Sequence, residues 1–334
     1  MEKFKTFLFR DLSLLLTLKI FSVSLIYLLM FLFLSEELFS YPDLSLYLQC
    51  SQLMTNFLYS KFLCALHLDY LGSMSSIKAI LIAISLNIFI IGCFYIIFAP
   101  YLNRRGQLWF IVLLSFHPYL AVYFPRLYSD IFGLLGILLI SYYSINNKKL
   151  DWVFITAAII LVNFRSALLP AFFFFALYSF AINRENKIIM SYSALLLLSL
   201  FLNYLFYREF SQSFLGHDYF SSQNKFLNPI LLLGFRESVS NLGFNQLFAS
   251  GQFIGIIYLI ASIALLIIHT IGLIGLVKFS MIYKKYNLLS VFSILIVPLL
   301  AISHLRYLLP LMPILIFGCI WIFNKNESDL FKSN

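Results

Sequence analysis

Ten apolar runs succeed one another along this chain, near residues 13–34, 77–98, 108–125, 127–145, 150–164, 166–182, 188–207, 253–277, 288–304 and 307–323. About 20 apolar residues, each rising about 1.5 Å, carry a helix across the hydrocarbon of a bilayer. Inside that hydrocarbon a segment must satisfy its own backbone hydrogen bonds, so runs of this length predict helices. The expected fold is all-α: a polytopic integral membrane protein of about ten transmembrane helices, forming one domain over 1–334. Composition agrees, since 62 % of the residues are hydrophobic and 11 % charged, which leaves no polar shell for a soluble globule. The runs at 150–164 and 166–182 are short, and predict a thin or tilted hairpin that sinks Arg165 below the surface.

A net charge of +9 would suit a nucleic-acid binder, but its distribution excludes that partner. Lys3, Lys5, Arg10 and Lys19 lead the chain. Arg104–Arg105, Lys148–Lys149, Arg184/Lys187, Lys278/Lys284/Lys285 and Lys325/Lys332 then recur at every second loop. This is the positive-inside pattern. It predicts a multi-pass protein of the inner (plasma) membrane with both termini, including the tail 324–334, in the cytoplasm. The first run lacks a small-residue cleavage site and reads as a retained signal anchor. Two long loops, about 35–76 and 208–252, fall outside. Their alternation of apolar and polar residues predicts amphipathic helices lying on the membrane surface. Cys50 and Cys64 share the first of these loops and could pair, while Cys93 and Cys319 sit in apolar runs as small core residues.

Three arginines interrupt the apolar sequence on that outer side: Arg126, Arg165 and Arg306, each between two runs with almost no loop. Charge at such depth is expensive and is kept for a partner or ligand. Snorkelling to lipid phosphates is the bland account. The sharper one is convergence on a membrane-anchored anion, because guanidinium forks match phosphate oxygens. Asp130 follows Arg126 by four residues and suits the positive end of a helix, with Ser129 as its cap. Asp43 suits either an N-cap or a general base. His117-Pro118 should kink its helix. Asn87, Asn163 and Asn203 suit interhelical hydrogen bonds. His304, Arg208, Arg236 and His217 are further outer-side candidates, and His67-Leu-Asp69 and His217-Asp218 are loop pairs with too few ligands for zinc. No Gly-rich phosphate loop, HExxH or Ser-His-Asp order is present.

Four pieces of sequence carry a resemblance: Tyr41-Pro42-Asp43, the stretch from His117-Pro118 through Arg126-Leu-Tyr-Ser-Asp130, Phe164-Arg165, and His304-Leu-Arg306-Tyr307-Leu-Leu-Pro310. Together they resemble the GT-C superfamily of membrane glycosyltransferases, and the small size resembles bacterial O-antigen and capsule polymerases. The resemblance implies inverting transfer from an undecaprenyl-phosphate- or diphosphate-linked glycan at the periplasmic face, alongside other polysaccharide-assembly proteins. Asp43 would be the base, Asp130 would position groups or hold a divalent metal (the only cofactor the resemblance allows), and Arg126, Arg165 and Arg306 would bind the donor phosphate. The chain departs from the family in lacking a paired acid at Asp43 and a soluble C-terminal domain. A polyprenyl-phosphate-monosaccharide-dependent transferase and a lipid-linked glycan flippase or transporter are the alternatives.

Overall fold

The computed structural model describes residues 2–33, 57–66, 73–183, 253–295 and 305–324. Among these the chain is helical, with no β-strand. Its helices are α1 (Glu2–Phe33), α2 (Phe57–Ala65), α3 (Ser73–Phe98), α4 (Arg104–Phe116), α5 (Pro118–Val122), α6 (Asp130–Ile145), α7 (Trp152–Phe164), α8 (Leu169–Asn183), α9 (Phe253–Ile282) and α10 (Met312–Asn324). Segments of 3₁₀ helix at Ala99–Tyr101, Ser166–Leu168, Tyr286–Leu295 and Leu305–Leu311 link or extend them.

Among the described residues, three helices are long and apolar enough to cross a membrane, over Phe9–Leu28, Ile77–Tyr101 and Ile263–Ile282. The remaining apolar helices are shorter. The expected span 108–125 is not one helix: it breaks at His117 into α4 and α5, because Pro118 has no N–H with which to continue the ladder. The expected span 307–323 is a composite. It joins the 3₁₀ turn Leu305–Leu311, with Pro310 inside it, to α10. The run 188–207, residues 296–304 of the ninth run, most of 35–76 and all of 208–252 lie outside the described residues.

Burial separates the inner helices from the outer ones. α6 and α10 are buried around nearly their whole circumference, which is why both are apolar on every face. α3 and α9 instead expose apolar stripes, including Ile77, Leu81 and Phe89 on one and Ile263, Ile267 and Ile274 on the other. A soluble protein would carry polar residues there, so these faces suit lipid.

Lipid tails are as apolar as leucine, so helices in a bilayer gain most from close packing. α9 and α10 show it. Cβ atoms built on Gly272 and Gly275 would lie 2.1 Å from the Leu315 carbonyl oxygen and 2.0 Å from that of Gly318. Only glycine permits this backbone-to-backbone contact.

One end of the bundle is basic and latched. Arg104 grips Asp11 with both terminal nitrogens (Nη2 to Oδ1, 2.7 Å), and Tyr95 donates to the same carboxylate at 2.7 Å. Asn103 N–H donates to Asn324 O at 3.3 Å, tying α4 to α10. Lys285 caps the last turn of α6, donating at 2.7 Å to both Ile145 O and Asn147 Oδ1. Burial pushes its ammonium pKa down, while the negative helix end favours the cation. Cys64 is disulfide-bonded, its suggested partner Cys50 lying outside the described residues, and Cys93 and Cys319 are free thiols.

Gly275→Leu or Gly318→Leu should separate α9 from α10 and lower the thermal midpoint of the detergent-solubilised protein sharply. Gly92→Ala, whose new Cβ would meet only Leu12 at 3.7 Å, should leave it unchanged.

Candidate functional site

The break at His117-Pro118 has a cost that other helices meet. In an unbroken ladder the Leu114 carbonyl would accept from residue 118, which is proline and has no donor. Lys19 of α1 reaches in and donates Nζ to Leu114 O at 3.0 Å and Ser115 O at 3.2 Å. Ser22 Oγ also donates to Ser115 O. Lys19 is 1 % exposed and its ammonium lies 5.4 Å from the centre of the Phe124 ring. Its expected place among the cytoplasmic N-terminal lysines is therefore wrong: it is an interior residue that replaces missing backbone donors.

The same logic continues from Val122, the last residue of α5, through the non-helical stretch 123–129. Tyr27 Oη of α1 donates to Val122 O at 3.0 Å, Asn87 Nδ2 of α3 to Phe124 O at 2.9 Å, and Tyr59 Oη of α2 to Leu127 O. Irregular backbone is tolerated at membrane depth only when such partners serve it. Asn87, expected to bond between helices, instead serves this non-helical segment and donates to Ala83 O of its own helix at 3.0 Å, while Asn163 donates to Ile159 O of its own helix at 2.8 Å.

This held segment delivers Ser129 and Asp130 to the first turn of α6. Asp130 is 0 % exposed and Arg165, capping the end of α7, is 8 % exposed. Arg165 Nη2 lies 2.9 Å from Asp130 Oδ1, and Nη1 donates to Ser129 Oγ at 3.0 Å. Asp130 sits at the positive end of its helix and Arg165 at the negative end of its own, so both dipoles favour the pair. Phe132 and Phe164 stack 4.1 Å apart beside it, and Phe62 of α2 packs edge-on to both. That apolar surround strengthens the electrostatics. It also gives α2 a packing role where the sequence suggested a surface helix.

Two glycines let the neighbouring hairpins close. A Cβ on Gly133 would lie 2.8 Å from Pro310 Cγ, and one on Gly136 would lie 2.6 Å from the Leu168 methyls. The turn carrying Arg165 and the 3₁₀ turn carrying Arg306 thus both pack on α6 just past Asp130.

Placement of the expected site residues is mixed. Asp130 and Arg165 are brought together, although the sequence offered Arg126 as the neutralising partner and Ser129 as a helix cap. Ser129 Oγ accepts from Arg165 instead, and the chain bend at Ser129 gives it no capping bond. Arg126 directs Nε to Tyr27 Oη at 3.2 Å, with its guanidinium 5.8 Å from the Tyr123 ring centre. Arg306 lies in the Leu305–Leu311 turn. Asp43, His304, Arg208, Arg236, His217 and the pair His67/Asp69 lie outside the described residues, as does Asn203.

Sequence reasoning missed one constellation. His117 Nε2 lies 3.0 Å from His269 Nε2 of α9, and both rings are buried. His117 Nδ1 also accepts from Leu120 N–H at 3.4 Å, and the direction of the His117–His269 hydrogen bond follows from the tautomers of the two rings. The available signal was position: Lys19 and His269 each fall inside an apolar run. No group of three or more metal-type ligands occurs among the described residues.

Compared with known proteins, the chain matches no family model, no curated protein and no solved structure.

The buried pair makes a direct prediction. Asp130→Asn and Arg165→Gln should each destabilise the fold by about 3–5 kcal/mol, because each strands the opposite charge in an apolar site. The double variant should cost less than the sum. Additive losses in a denaturation series would contradict the pairing.

Proposed function

We propose that this chain is a membrane glycosyltransferase that uses a polyprenyl-phosphate- or diphosphate-linked glycan on the non-cytoplasmic face, in surface polysaccharide assembly of the O-antigen type, with repeat-unit polymerisation as its reaction. The observation that carries the reading is the buried Asp130–Arg165 pair, with the Arg306 turn packed through Pro310 on the same helix end. Arg126 belongs to the irregular segment leading into that end.

The chemistry asked of such a site is simple to balance. An acceptor hydroxyl attacks the anomeric carbon, the bond from that carbon to the donor phosphate oxygen breaks, and a base takes the hydroxyl proton. Inverting transfer follows from the single displacement. The leaving group is a lipid phosphate whose charge grows in the transition state, and preorganised guanidinium groups stabilise it best there. In this reading Arg165 and Arg306 face the phosphate. Asp130 acts as a positioning residue, holding the Arg165 fork through one carboxylate oxygen. The base falls to Asp43, on the resemblance alone. Basic loops on one face and the irregular segment at the other support the topology: the active end lies opposite Arg104, Lys148 and Lys285.

A second reading has its own observation. Lys19, His117 and His269 form a polar interior beside a broken helix, a feature of transporters that bind substrate near the midplane. It favours a flippase for the same lipid-linked glycan.

Reconstitution with purified lipid-linked glycan separates the readings. Chain growth supports a polymerase, single-sugar addition the monosaccharide-dependent alternative, and translocation without new bonds the flippase. Arg306→Ala and Asp43→Asn should each reduce product by about 10²–10³-fold while the protein still inserts and accumulates. Undiminished product from Arg306→Ala would remove the phosphate-binding role, and from Asp43→Asn the role of base.

A further inference from the structure

A groove of about 360 Å³ runs between α4 and α10 at the basic end of the bundle. Its α4 wall is Arg105, Trp109 and Leu113, and Ile320 and Phe323 come from α10. The α4 residues are spaced by four, so they stack on one face of the helix. Eight residues at about 1.5 Å place the apolar floor roughly 12 Å from the arginine, close to the half-thickness of a hydrocarbon core about 30 Å across.

Neighbouring arginines divide the work. Arg104 is committed to Asp11 through two charge-assisted hydrogen bonds. Arg105 is exposed at the mouth of the groove, and no carboxylate among the described residues meets it. Trp109 and Phe323 are also exposed, so the groove opens sideways from the bundle. A tryptophan one turn from an arginine is the arrangement expected at headgroup level.

We propose that this groove is a binding site for an anionic phospholipid, with its phosphate on Arg105 and an acyl chain along Trp109 and Leu113 against α10. Charge complementarity selects the headgroup, and the apolar walls take the chain. The site is separate from the Asp130–Arg165 end and does not depend on the activity proposed above.

The chain has three tryptophans, so Trp152→Phe with Trp321→Phe leaves Trp109 as the reporter. In phosphatidylcholine vesicles holding a minor fraction of brominated lipid, brominated phosphatidylglycerol should quench Trp109 with about fivefold higher relative affinity than brominated phosphatidylcholine, the preference expected of one basic side chain. Arg105→Gln should abolish the preference. Equal quenching by the two lipids, or a preference that survives Arg105→Gln, would overturn the proposal. Trp321 is buried among aromatic rings. Should its replacement disturb folding, native mass spectrometry of the unaltered chain in mixed-lipid nanodiscs decides the question: retained phosphatidylglycerol lost on Arg105→Gln supports the site, and equal retention contradicts it.

Discussion

A carbonyl oxygen without a donor is costly in a bilayer interior, and this fold is arranged around a stretch of them. From Leu114 to Leu127 the backbone leaves the regular ladder at a proline, resumes for one short helix, then leaves it again. Five side chains on α1, α2 and α3 supply what the ladder does not: Lys19, Ser22, Tyr27, Tyr59 and Asn87. Each such bond nets about 1 kcal/mol in water, but leaving the acceptor unmet in an apolar setting costs about 1–3 kcal/mol. The irregular segment therefore fixes how the first three helices must pack.

That constraint explains why a charged pair can be kept beneath an aromatic cover. Segment 123–129 ends at Ser129 and Asp130, so the side chains that hold its carbonyls also hold the carboxylate in register with α7. Arg165 answers from the opposite hairpin, where the chain turns within one residue between α7 and the next 3₁₀ turn. Gly133 and Gly136 then admit the flanking turns without a clash. Local sequence, packing and electrostatics agree at this end of the bundle. The opposite end is closed by the Asp11–Arg104 latch and the Lys285 cap.

Much of this was legible as pattern. Apolar runs announced a helical membrane protein, the proline at 118 announced a break, and Arg165 between two apolar runs announced a buried charge. Pairing was not legible, because it is set by tertiary register. Asp130 and Arg165 are 35 residues apart, and local spacing pointed to Arg126 instead. Lys19 was misread for a related reason: a lysine near a basic N-terminus looks cytoplasmic until the helix is seen to carry it inward beside α4. His269 gave no motif at all, since its partner lies 152 residues away. Span lengths misled as well. Hydropathy merges α4 and α5 into one run, although the proline divides them.

The claim on which this account rests is that Lys19 stands in for the hydrogen-bond donor that Pro118 lacks. A thermodynamic cycle of Lys19→Met and Pro118→Ala, followed by reversible unfolding in detergent, tests it directly. Alanine restores an N–H able to reach Leu114 O, so Lys19→Met should cost at least about 1 kcal/mol less in the Pro118→Ala background than in the parent chain. If Lys19→Met costs the same with either residue at position 118, the lysine is not serving the break and the account is wrong.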